Sequence, residues 1–324
     1  MKSHAVIVEE QGAPDVMTIQ EVDVGEPGPE EVLLEQTAIG LNYMDVYQRS
    51  GYYPMALPSR LGLEGVGKVL AAGGNVTDVK PGDRVAYGPN LGAYAKHRTI
   101  AADRVVAIPD EVPDDVAAAV FLKGMTVEYL MCRAYEVKAG DAVLFYAASG
   151  GVGHLAGQWG KHIGARMIGV TSGPENCARA LQHGYSAAID RNREDIAERV
   201  RELTDGKGVN VVFDSVGKAT FDASINSLAP RGFFMSFGAT TGEAPPVPAS
   251  LLQHKGSLYF CRPTLANYVE TREGLVHSAT KVFELVRSGK LKVDISQRRP
   301  LSEIAAIHEE FQSGRTTGST VLLP

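Results

Sequence analysis

A glycine-rich turn that joins an apolar strand directly to a helix is the feature that most constrains how this chain folds. The predicted strand covers residues 143–146, the turn 147–153 reads Ala-Ala-Ser-Gly-Gly-Val-Gly, and the helix is predicted over 153–162. A strand, a glycine turn and a helix in this order are typical of the site that holds a dinucleotide pyrophosphate. The turn therefore predicts a nucleotide-binding domain.

The pattern G-x-G-x-x-G is matched by Ala148, Gly150 and Gly153, with alanine in place of the first glycine. Gly150 allows the backbone to approach the pyrophosphate, and Gly153 allows the helix to pack closely on the strand. The N–H groups at the helix N-terminus favour the phosphate charge. The alternative interpretation is that the turn only joins a strand to a helix and binds no ligand. The alternation of strands and helices around the turn disfavours this alternative. The residues that we expect to bind the cofactor here are Ser149, Gly150, Gly151, Val152 and Gly153.

Strands and helices alternate through the second half of the chain. Strands are predicted at 143–146, 167–171, 187–189, 210–213, 233–236 and 258–261, and helices at 153–162, 174–183, 193–204 and 219–228. Such alternation predicts an α/β domain with a doubly wound parallel sheet covered by helices on both faces.

The first third of the chain predicts a β-rich domain. Short β-branched or alternating segments at 5–8, 31–38, 65–71, 84–86 and 94–99 are separated by glycine and proline turns. Two helices follow, predicted over 114–122 and 126–135, and the tail shows helical patterns at 267–288 and 303–311 and a strand at 319–323. A length of 324 residues fits two domains. We predict one from residues 1–122 with 266–324 and the other from 123–265.

Composition excludes several classes of function. Lys and Arg number 32 against 38 for Asp and Glu, a net charge of −6 without a basic run, so a nucleic-acid partner is not expected. The apolar run at 116–122 is too short to span a membrane, and Glu9 and Glu10 stand where a signal peptide is apolar. We expect a cytoplasmic protein without a membrane partner. Its three cysteines and eight histidines show no metal-ligand spacing.

The tip of the second strand bears on which nicotinamide cofactor binds. An NAD site usually places an Asp or Glu there, whereas this chain reads Thr171-Ser172-Gly173. Without that carboxylate a ribose 2′-phosphate is accepted. Arg179 and Arg191 are candidates to bind this phosphate, and a solvated surface role is the alternative for each.

Several motifs together resemble the zinc-free quinone oxidoreductases, the zeta-crystallin-like group of the medium-chain dehydrogenase/reductase superfamily. The resemblance spans nearly the whole chain and implies a GroES-like domain for the substrate, a Rossmann domain for NADPH and a homodimer paired through residues 257–261. The motifs that carry it are Gly-Leu-Asn-Tyr-Met-Asp-Val-Tyr at 40–47, Arg-Ser-Gly-Tyr-Tyr-Pro at 49–54, Lys-Pro-Gly-Asp-Arg-Val at 80–85, Leu-Lys-Gly-Met-Thr at 122–126, the turn at 147–153, Asp-Ser-Val-Gly at 214–217, Ser-Phe-Gly at 236–238 and Arg-Pro at 262–263.

The resemblance also implies that no zinc is bound. Zinc-dependent relatives in the superfamily have a cysteine and a histidine where this chain has Asn42 and Leu63, and a cysteine-rich lobe that this chain lacks after Tyr87. Without a Lewis acid, reduction of an electrophilic acceptor is favoured over alcohol oxidation.

The family's site residues correspond to defined positions of this chain. Asn42, Tyr47 and Tyr53 would line the pocket at the nicotinamide, where a tyrosine hydroxyl would polarise a substrate oxygen or deliver a proton. Aromatic packing is the alternative role of the tyrosines, and Asp45 is interpreted as a structural carboxylate. The remaining positions implied to contact the cofactor are Lys123, Met125, Thr126, Phe237 and Arg262.

Three positions depart from the family pattern. Asn176 replaces a lysine that pairs with the 2′-phosphate, Arg191 replaces a tyrosine on the adenine, and Gly314, followed by Arg315, replaces a basic residue. We hypothesise that Arg191 compensates and that NADPH is preferred, with NADH possible.

Three functions remain open from the sequence. The first is an NADPH-dependent quinone reductase that transfers a hydride to a small quinone without a metal. The second is an NAD(P)H-dependent enone or enoyl-thioester reductase, since the same geometry reduces a conjugated C=C bond. The third, from a different class, is a nucleotide-binding structural protein of the crystallin kind.

Overall fold

The computed structural model describes residues 1–314 and 316–324, and these form two compact units. Unit 1 contains residues 1–125, 269–288 and 293–324, and unit 2 contains residues 126–268 and 289–292. No described helix is both long enough and apolar enough to cross a membrane.

The strands and helices of the described residues have the following bounds. The strands are β1 Lys2–Val8, β2 Met17–Asp23, β3 Glu31–Gly40, β4 Ser59–Arg60, β5 Glu64–Ala72, β6 Arg84–Tyr87, β7 His97–Ala101, β8 Val105–Ala107, β9 Ala142–Tyr146, β10 Arg166–Thr171, β11 Ala187–Asp190, β12 Val209–Asp214, β13 Leu228–Ser236, β14 Tyr259–Cys261, β15 Ile295–Pro300 and β16 Ser319–Leu323. The helices are α1 Tyr43–Ser50, α2 Asp114–Glu128, α3 Gly153–Ile163, α4 Pro174–Gln182, α5 Ile196–Leu203, α6 Phe221–Ser227, α7 Ala249–His254, α8 Leu265–Tyr268, α9 Arg272–Arg287 and α10 Ile304–Gln312.

Unit 1 is β-rich, as its short alternating segments predict, and its strands pair antiparallel except for the parallel pair β15 and β16. Its larger sheet has the order β15-β16-β3-β5-β6-β8, with β7 also paired to β3, and its smaller sheet has the order β2-β1-β4. The C-terminal strand β16 pairs with β3, with Leu322 opposite Ile39. The buried core between these elements includes Leu34, Ile39 and Tyr94. Helix α1 follows β3 after two residues, so the end of β3 fixes the start of this helix.

Unit 2 confirms the prediction of a doubly wound parallel sheet. The order of the strands is β11-β10-β9-β12-β13-β14, with parallel pairing throughout. The chain order reverses between β9 and β12, and in such sheets ligands bind outside the carboxyl ends of the strands at this reversal. Strand β14 lies at the edge of the sheet, as the family resemblance implies.

The prediction of two helices over 114–122 and 126–135 is wrong. Helix α2 runs through both segments from Asp114 to Glu128 and continues as a π-helical turn, Tyr129–Ala134. Gly124 lies inside this helix, where a Cβ would be 2.7 Å from Cγ1 of Val282 in α9. The glycine therefore permits close packing of the two helices, whereas the sequence suggests a helix break.

The single helix predicted over 267–288 is also wrong, because α8 and α9 are separate. The side chain of Thr271 caps α9 by accepting a hydrogen bond from the N–H of Gly274 at 3.1 Å. Several elements were not predicted at all. They are β2, β4, β8, β15, α1 and α7.

Candidate cofactor and substrate site

The turn after β9 has the shape that the dinucleotide pattern requires. A Cβ at Gly153 would lie 2.2 Å from the carbonyl oxygen of Ala147, so only glycine fits where α3 begins. Ala147 itself adopts the left-handed conformation, with φ of 52°. The N–H of His154 donates to the carbonyl oxygen of Gly150 at 3.0 Å, so the other N–H groups at the start of α3 are the ones that would bind an anion. The turn thus fits a pyrophosphate.

The buried side chain of Tyr185 stabilises this turn. The hydroxyl of Tyr185 donates to the carbonyl oxygen of Gly153 at 2.7 Å. A Cβ at Gly157 would lie 2.5 Å from the ring of Tyr185. Burial raises the pKa of Tyr185 well above its ordinary value, so the hydroxyl remains a donor. No sequence pattern identified this residue.

The carboxyl ends of β10 and β11 bring the predicted phosphate ligand Arg191 beside Ser172, whereas Arg179 lies in the last turn of α4. The backbone N–H of Arg191 donates to the carbonyl oxygen of Thr171 at 3.0 Å, which places Arg191 beside Ser172. The hydroxyls of Ser149 and Thr171 are 2.8 Å apart. The side-chain amide of Asn176 donates to the carbonyl oxygen of Ser172 at 2.9 Å.

Asp190 contributes the carboxylate of this corner, but it is directed at the backbone. Its Oδ1 accepts from the N–H of Gly173 at 2.9 Å and from the N–H of Asn192 at 3.1 Å. These bonds lower its pKa, assisted by the charges of Arg193 and Arg191. The carboxylate therefore stabilises the loop and leaves the tip of β10 without an acid.

Phe237 follows β13, and Arg262, which follows β14, extends its side chain to the carboxyl end of β13. The N–H of Phe237 donates to the carbonyl oxygen of Asp214 at 2.8 Å, and Nη1 of Arg262 donates to the carbonyl oxygen of Ser236 at 2.8 Å. Asp214 is fully buried, and its carboxylate accepts four hydrogen bonds. The donors are the N–H groups of Val216 and Gly217 and the hydroxyls of Thr220 and Ser224. The carboxylate therefore organises residues 216–224, while the backbone carbonyl of Asp214 holds Phe237.

In unit 1, the carboxylate of Glu64 joins two predicted site residues. Its Oε2 accepts from Nδ2 of Asn42 at 2.9 Å and lies 3.5 Å from Nζ of Lys123. Its Oε1 accepts from the N–H of Leu122 at 2.6 Å. The side chains of Glu64, Asn42 and Lys123 are all buried. A Cβ at Gly40 would lie 2.2 Å from Oε2 of Glu64, which explains the glycine that precedes Leu41-Asn42.

Asp45 belongs to a second buried network beside Asn42. Its Oδ2 accepts from the N–H of Asn42 and from the hydroxyl of Tyr94, each at 2.9 Å, which agrees with its interpretation as a structural carboxylate. The Tyr94 hydroxyl also lies 3.1 Å from Nε2 of His308. Burial raises the pKa of Asp45 to about 7, against the hydrogen bonds and the charge of Lys123. Burial and the charge of Arg49 lower the pKa of His308 to about 3.

The predicted pocket tyrosines form an aromatic cluster at α1 and the loop after it. The ring of Tyr47 contacts those of Tyr43, Tyr52 and Tyr53, with centroid distances of 5.0, 4.8 and 5.5 Å. Gln11 fixes the loop by donating to the carbonyl oxygens of Gln48 and Tyr53 at 2.6 and 2.8 Å. Tyr47 and Tyr53 are each half-buried. The structure therefore brings both tyrosines together.

Other predicted residues occupy less informative positions. Met125 is fully buried in α2, and Thr126 follows it on the same helix. Gly314 has φ of 69° just after α10, and Arg315 lies outside the described residues. Among the described residues, no group of three or more His, Cys, Asp or Glu side chains is arranged to hold a metal ion.

Comparison with known proteins identifies the class to which the two units belong. Residues 28–134 match the alcohol dehydrogenase GroES-like domain, and residues 151–271 match the zinc-binding dehydrogenase family. The chain is 48% identical over 316 residues to a quinone oxidoreductase of Pseudomonas aeruginosa, covering 97% of each chain. It is 39% identical to a 2-haloacrylate reductase of a Burkholderia species, covering 99% of this chain and 98% of that one.

A solved structure of the Escherichia coli quinone oxidoreductase complexed with NADPH superimposes with a TM-score of 0.97. The identity is 41%, and the match covers 99% of this chain and 100% of that one. The chain belongs to the zinc-free quinone oxidoreductase family of the medium-chain dehydrogenase/reductase superfamily. The resemblance stated from the motifs is confirmed.

Proposed function

We propose that this protein is an NADPH-dependent quinone reductase that acts on a small quinone. The observation that carries the proposal is the anion-binding turn at Gly153, within a chain 48% identical to a quinone oxidoreductase. The glycine turn fits the pyrophosphate of a dinucleotide, and the E. coli relative is described as an NADPH complex.

Preference for NADPH over NADH follows from the corner formed by β10 and β11. Ser172 and Arg191 lie together there, while the carboxylate of Asp190 accepts hydrogen bonds from backbone N–H groups. A guanidinium group is well suited to a bidentate contact with the 2′-phosphate. In this proposal Arg191 replaces the lysine whose position Asn176 occupies.

Bound NADPH supplies a hydride from the nicotinamide. The protein's contribution is orientation, hydrogen bonding and proton delivery. Asn42 is held by Glu64 and by the start of α1, so it presents a fixed polar group. Tyr47 or Tyr53 would polarise the acceptor oxygen or donate a proton to it. Asn42 and Leu63 are not zinc ligands, so the proposed chemistry uses no zinc.

Reduction of a conjugated C=C bond is the second candidate function. The similarity to a 2-haloacrylate reductase, 39% identical over nearly the whole chain, favours it. Both candidates need the same hydride donor, so the acceptor distinguishes them.

We also propose that two copies of the chain pair through β14. This strand is the edge of the parallel sheet, and its Tyr259 is 54% exposed. An uncovered edge strand tends to pair with another strand, and twofold pairing would cover it. The cytoplasmic location stays a prediction from the sequence.

The proposed function is tested by following the loss of NADPH absorbance with two acceptors, a small ortho-quinone and a simple enone. We expect turnover with the quinone. Turnover with the enone alone would assign the second candidate. If NADPH is oxidised neither with the quinone nor with the enone, both functions are contradicted.

The cofactor preference has its own test. Arg191→Ala should lower the ratio of NADPH to NADH affinity by about tenfold, since a charged hydrogen bond is lost. Arg231→Ala, an exposed arginine elsewhere in unit 2, is the control. An unchanged ratio in Arg191→Ala would refute the assigned role of Arg191.

A further inference from the structure

Unit 1 contains a cavity whose lining is positively charged. Its volume is about 270 Å³, and no acidic side chain lines it. The lining residues are Pro58, Ser59, Arg60, Leu91, Gly92, Arg98 and Thr99. Two arginines therefore face one small space, and the proposed reduction uses neither of them.

Arg98 is a buried cation without a carboxylate partner in the described part of the chain. It is only 7% exposed, and its Nη1 and Nη2 donate to the carbonyl oxygen of Asn90 at 3.2 Å and to Oδ1 of Asn90 at 2.8 Å. Its guanidinium carbon lies 4.8 Å from the ring centroid of Tyr87. These contacts fix the guanidinium but do not neutralise it, and an uncompensated buried charge is costly.

The opposite wall of the cavity supplies a second guanidinium. Arg60 is half-buried, and within residues 1–314 and 316–324 its side chain makes no hydrogen bond or ion pair. Gly92 separates the two arginines with φ of +101°. A Cβ on Gly92 would lie 3.6 Å from Nη1 of Arg98 and 3.8 Å from Cβ of Arg60. The glycine thus leaves open the space between them.

We propose that this cavity binds a small oxyanion, a carboxylate or a phosphate, between the guanidinium groups of Arg60 and Arg98. The guanidinium of Arg98 bonds to Asn90 and to the hydroxyl of Tyr87, which leaves part of its donor set for a ligand, and the donors of Arg60 are available. The planar fork of a guanidinium matches the oxygens of both anions. The anion is either free in solution or the charged group of a larger ligand. The proposal does not depend on the reductase activity.

Binding is measured by isothermal titration calorimetry with inorganic phosphate and with benzoate. Arg191→Ala serves as the parent protein, so that the proposed 2′-phosphate site does not contribute, and any phosphate bound at the glycine turn is common to the parent and the variants made from it. Adding Arg60→Gln should weaken binding by about tenfold, since charge-assisted hydrogen bonds are lost. Arg166→Gln, an exposed arginine in unit 2, is the matched control and should bind as the parent does. An unchanged melting temperature without anion would show that Arg60→Gln folds normally.

The position of the bound anion is tested by soaking crystals in selenate and recording anomalous scattering. A peak between Arg60 and Arg98 supports the site. Absence of such a peak, equal affinities in the parent and Arg60→Gln, or no binding of either anion would overturn the proposed site.

The source of the anion is separated by kinetics. If the anion belongs to the substrate, Arg60→Gln raises KM for a carboxylate-bearing quinone more than KM for benzoquinone, and phosphate competes with the former. If the anion is free, phosphate binds at the cavity without competing. Either result supports the cavity as an anion site.

Discussion

Asp45 and His308 are linked through the hydroxyl of Tyr94, and their pKa values shift in opposite directions. Folding raises the pKa of Asp45 from 3.8 to about 7 and lowers that of His308 from 6.5 to about 3. From about pH 4 to 6.5, the folded protein therefore holds one proton on Asp45, and the unfolded chain holds one proton on the histidine. Because the proton counts are equal, the pair contributes no pH dependence to the free energy of unfolding in this range.

Replacing either Asp45 or His308 should reveal the pH dependence that the other residue contributes to the free energy of unfolding. In Asp45→Asn, only the unfolded chain binds the proton, so stability should rise with pH from about 4 to 6.5 relative to wild type, by about 1.4 kcal/mol per pH unit. In His308→Gln, only the folded protein binds it, so stability should fall with pH by a similar slope. Urea unfolding followed by circular dichroism at several pH values measures both slopes.

The double variant is the internal control for this pair. Asp45→Asn with His308→Gln should have the same pH dependence of stability as the wild type from about pH 4 to 6.5. Two single variants with parallel pH profiles would show that the shifts assigned to Asp45 and His308 are incorrect.

A second residue-scale prediction concerns the turn glycine. Gly153→Ala would place a Cβ 2.2 Å from the oxygen of Ala147, a backbone atom that cannot move aside. We expect loss of NADPH binding and destabilisation on the order of 2–3 kcal/mol. Gly74→Ala is the matched control, because a Cβ there meets nothing within 4 Å. Equal NADPH affinity for the two variants, measured by fluorescence titration, would argue against the proposed pyrophosphate turn.

At the scale of elements, α2 and α9 are coupled through Gly124 and Val282. Gly124→Ala would bring a Cβ to 2.7 Å from Cγ1 of Val282, and overpacking of this kind costs about 1–3 kcal/mol. Val282→Ala should relieve this clash. The double variant is therefore expected to lose less stability than the sum of the two single variants in chemical unfolding. Strict additivity would mean that the two helices do not meet at Gly124.

The elements that the sequence predicts well are those with a local signal. Strand β9, the glycine turn and α3 follow from adjacent residues, and the parallel sheet follows from their alternation. Strand β2 has no such signal, because most of its residues are exposed and its pairing with β1 defines it. Position 124 of helix α2 is a glycine because the neighbouring helix α9 leaves room only for a small residue. A local sequence pattern does not show tertiary packing of this kind, so the glycine suggests a break where the helix continues.

At the scale of the molecule, the site is partly predictable for the same reason. Motif residues such as Gly153 and Asn42 are found from the sequence, as is Asp45 as a structural carboxylate. The contact between Tyr94 and His308 joins residues separated by 214 positions, and only the folded chain shows it. The role of Glu64 in joining Asn42 and Lys123 likewise depends on the pairing of distant strands and helices.

The proposed pairing through β14 predicts a mass of two chains in light scattering at micromolar concentration. Tyr259→Lys should shift the protein toward one chain, because a charged side chain on an exposed edge strand opposes strand pairing. Leu181→Lys, which changes an exposed residue of α4, is the control. Tyr43→Lys would not serve, because Tyr43 packs in the aromatic cluster. A wild-type mass of one chain would exclude the dimer.

In the proposed function, reduced nicotinamide passes its hydride to a quinone without assistance from a metal. The most direct measurement is the rate of NADPH oxidation by a small ortho-quinone, before and after dialysis of the enzyme against a strong chelator. We predict the same rate in both samples and a lower rate with NADH. Loss of turnover on chelation, restored by added zinc, would contradict the account.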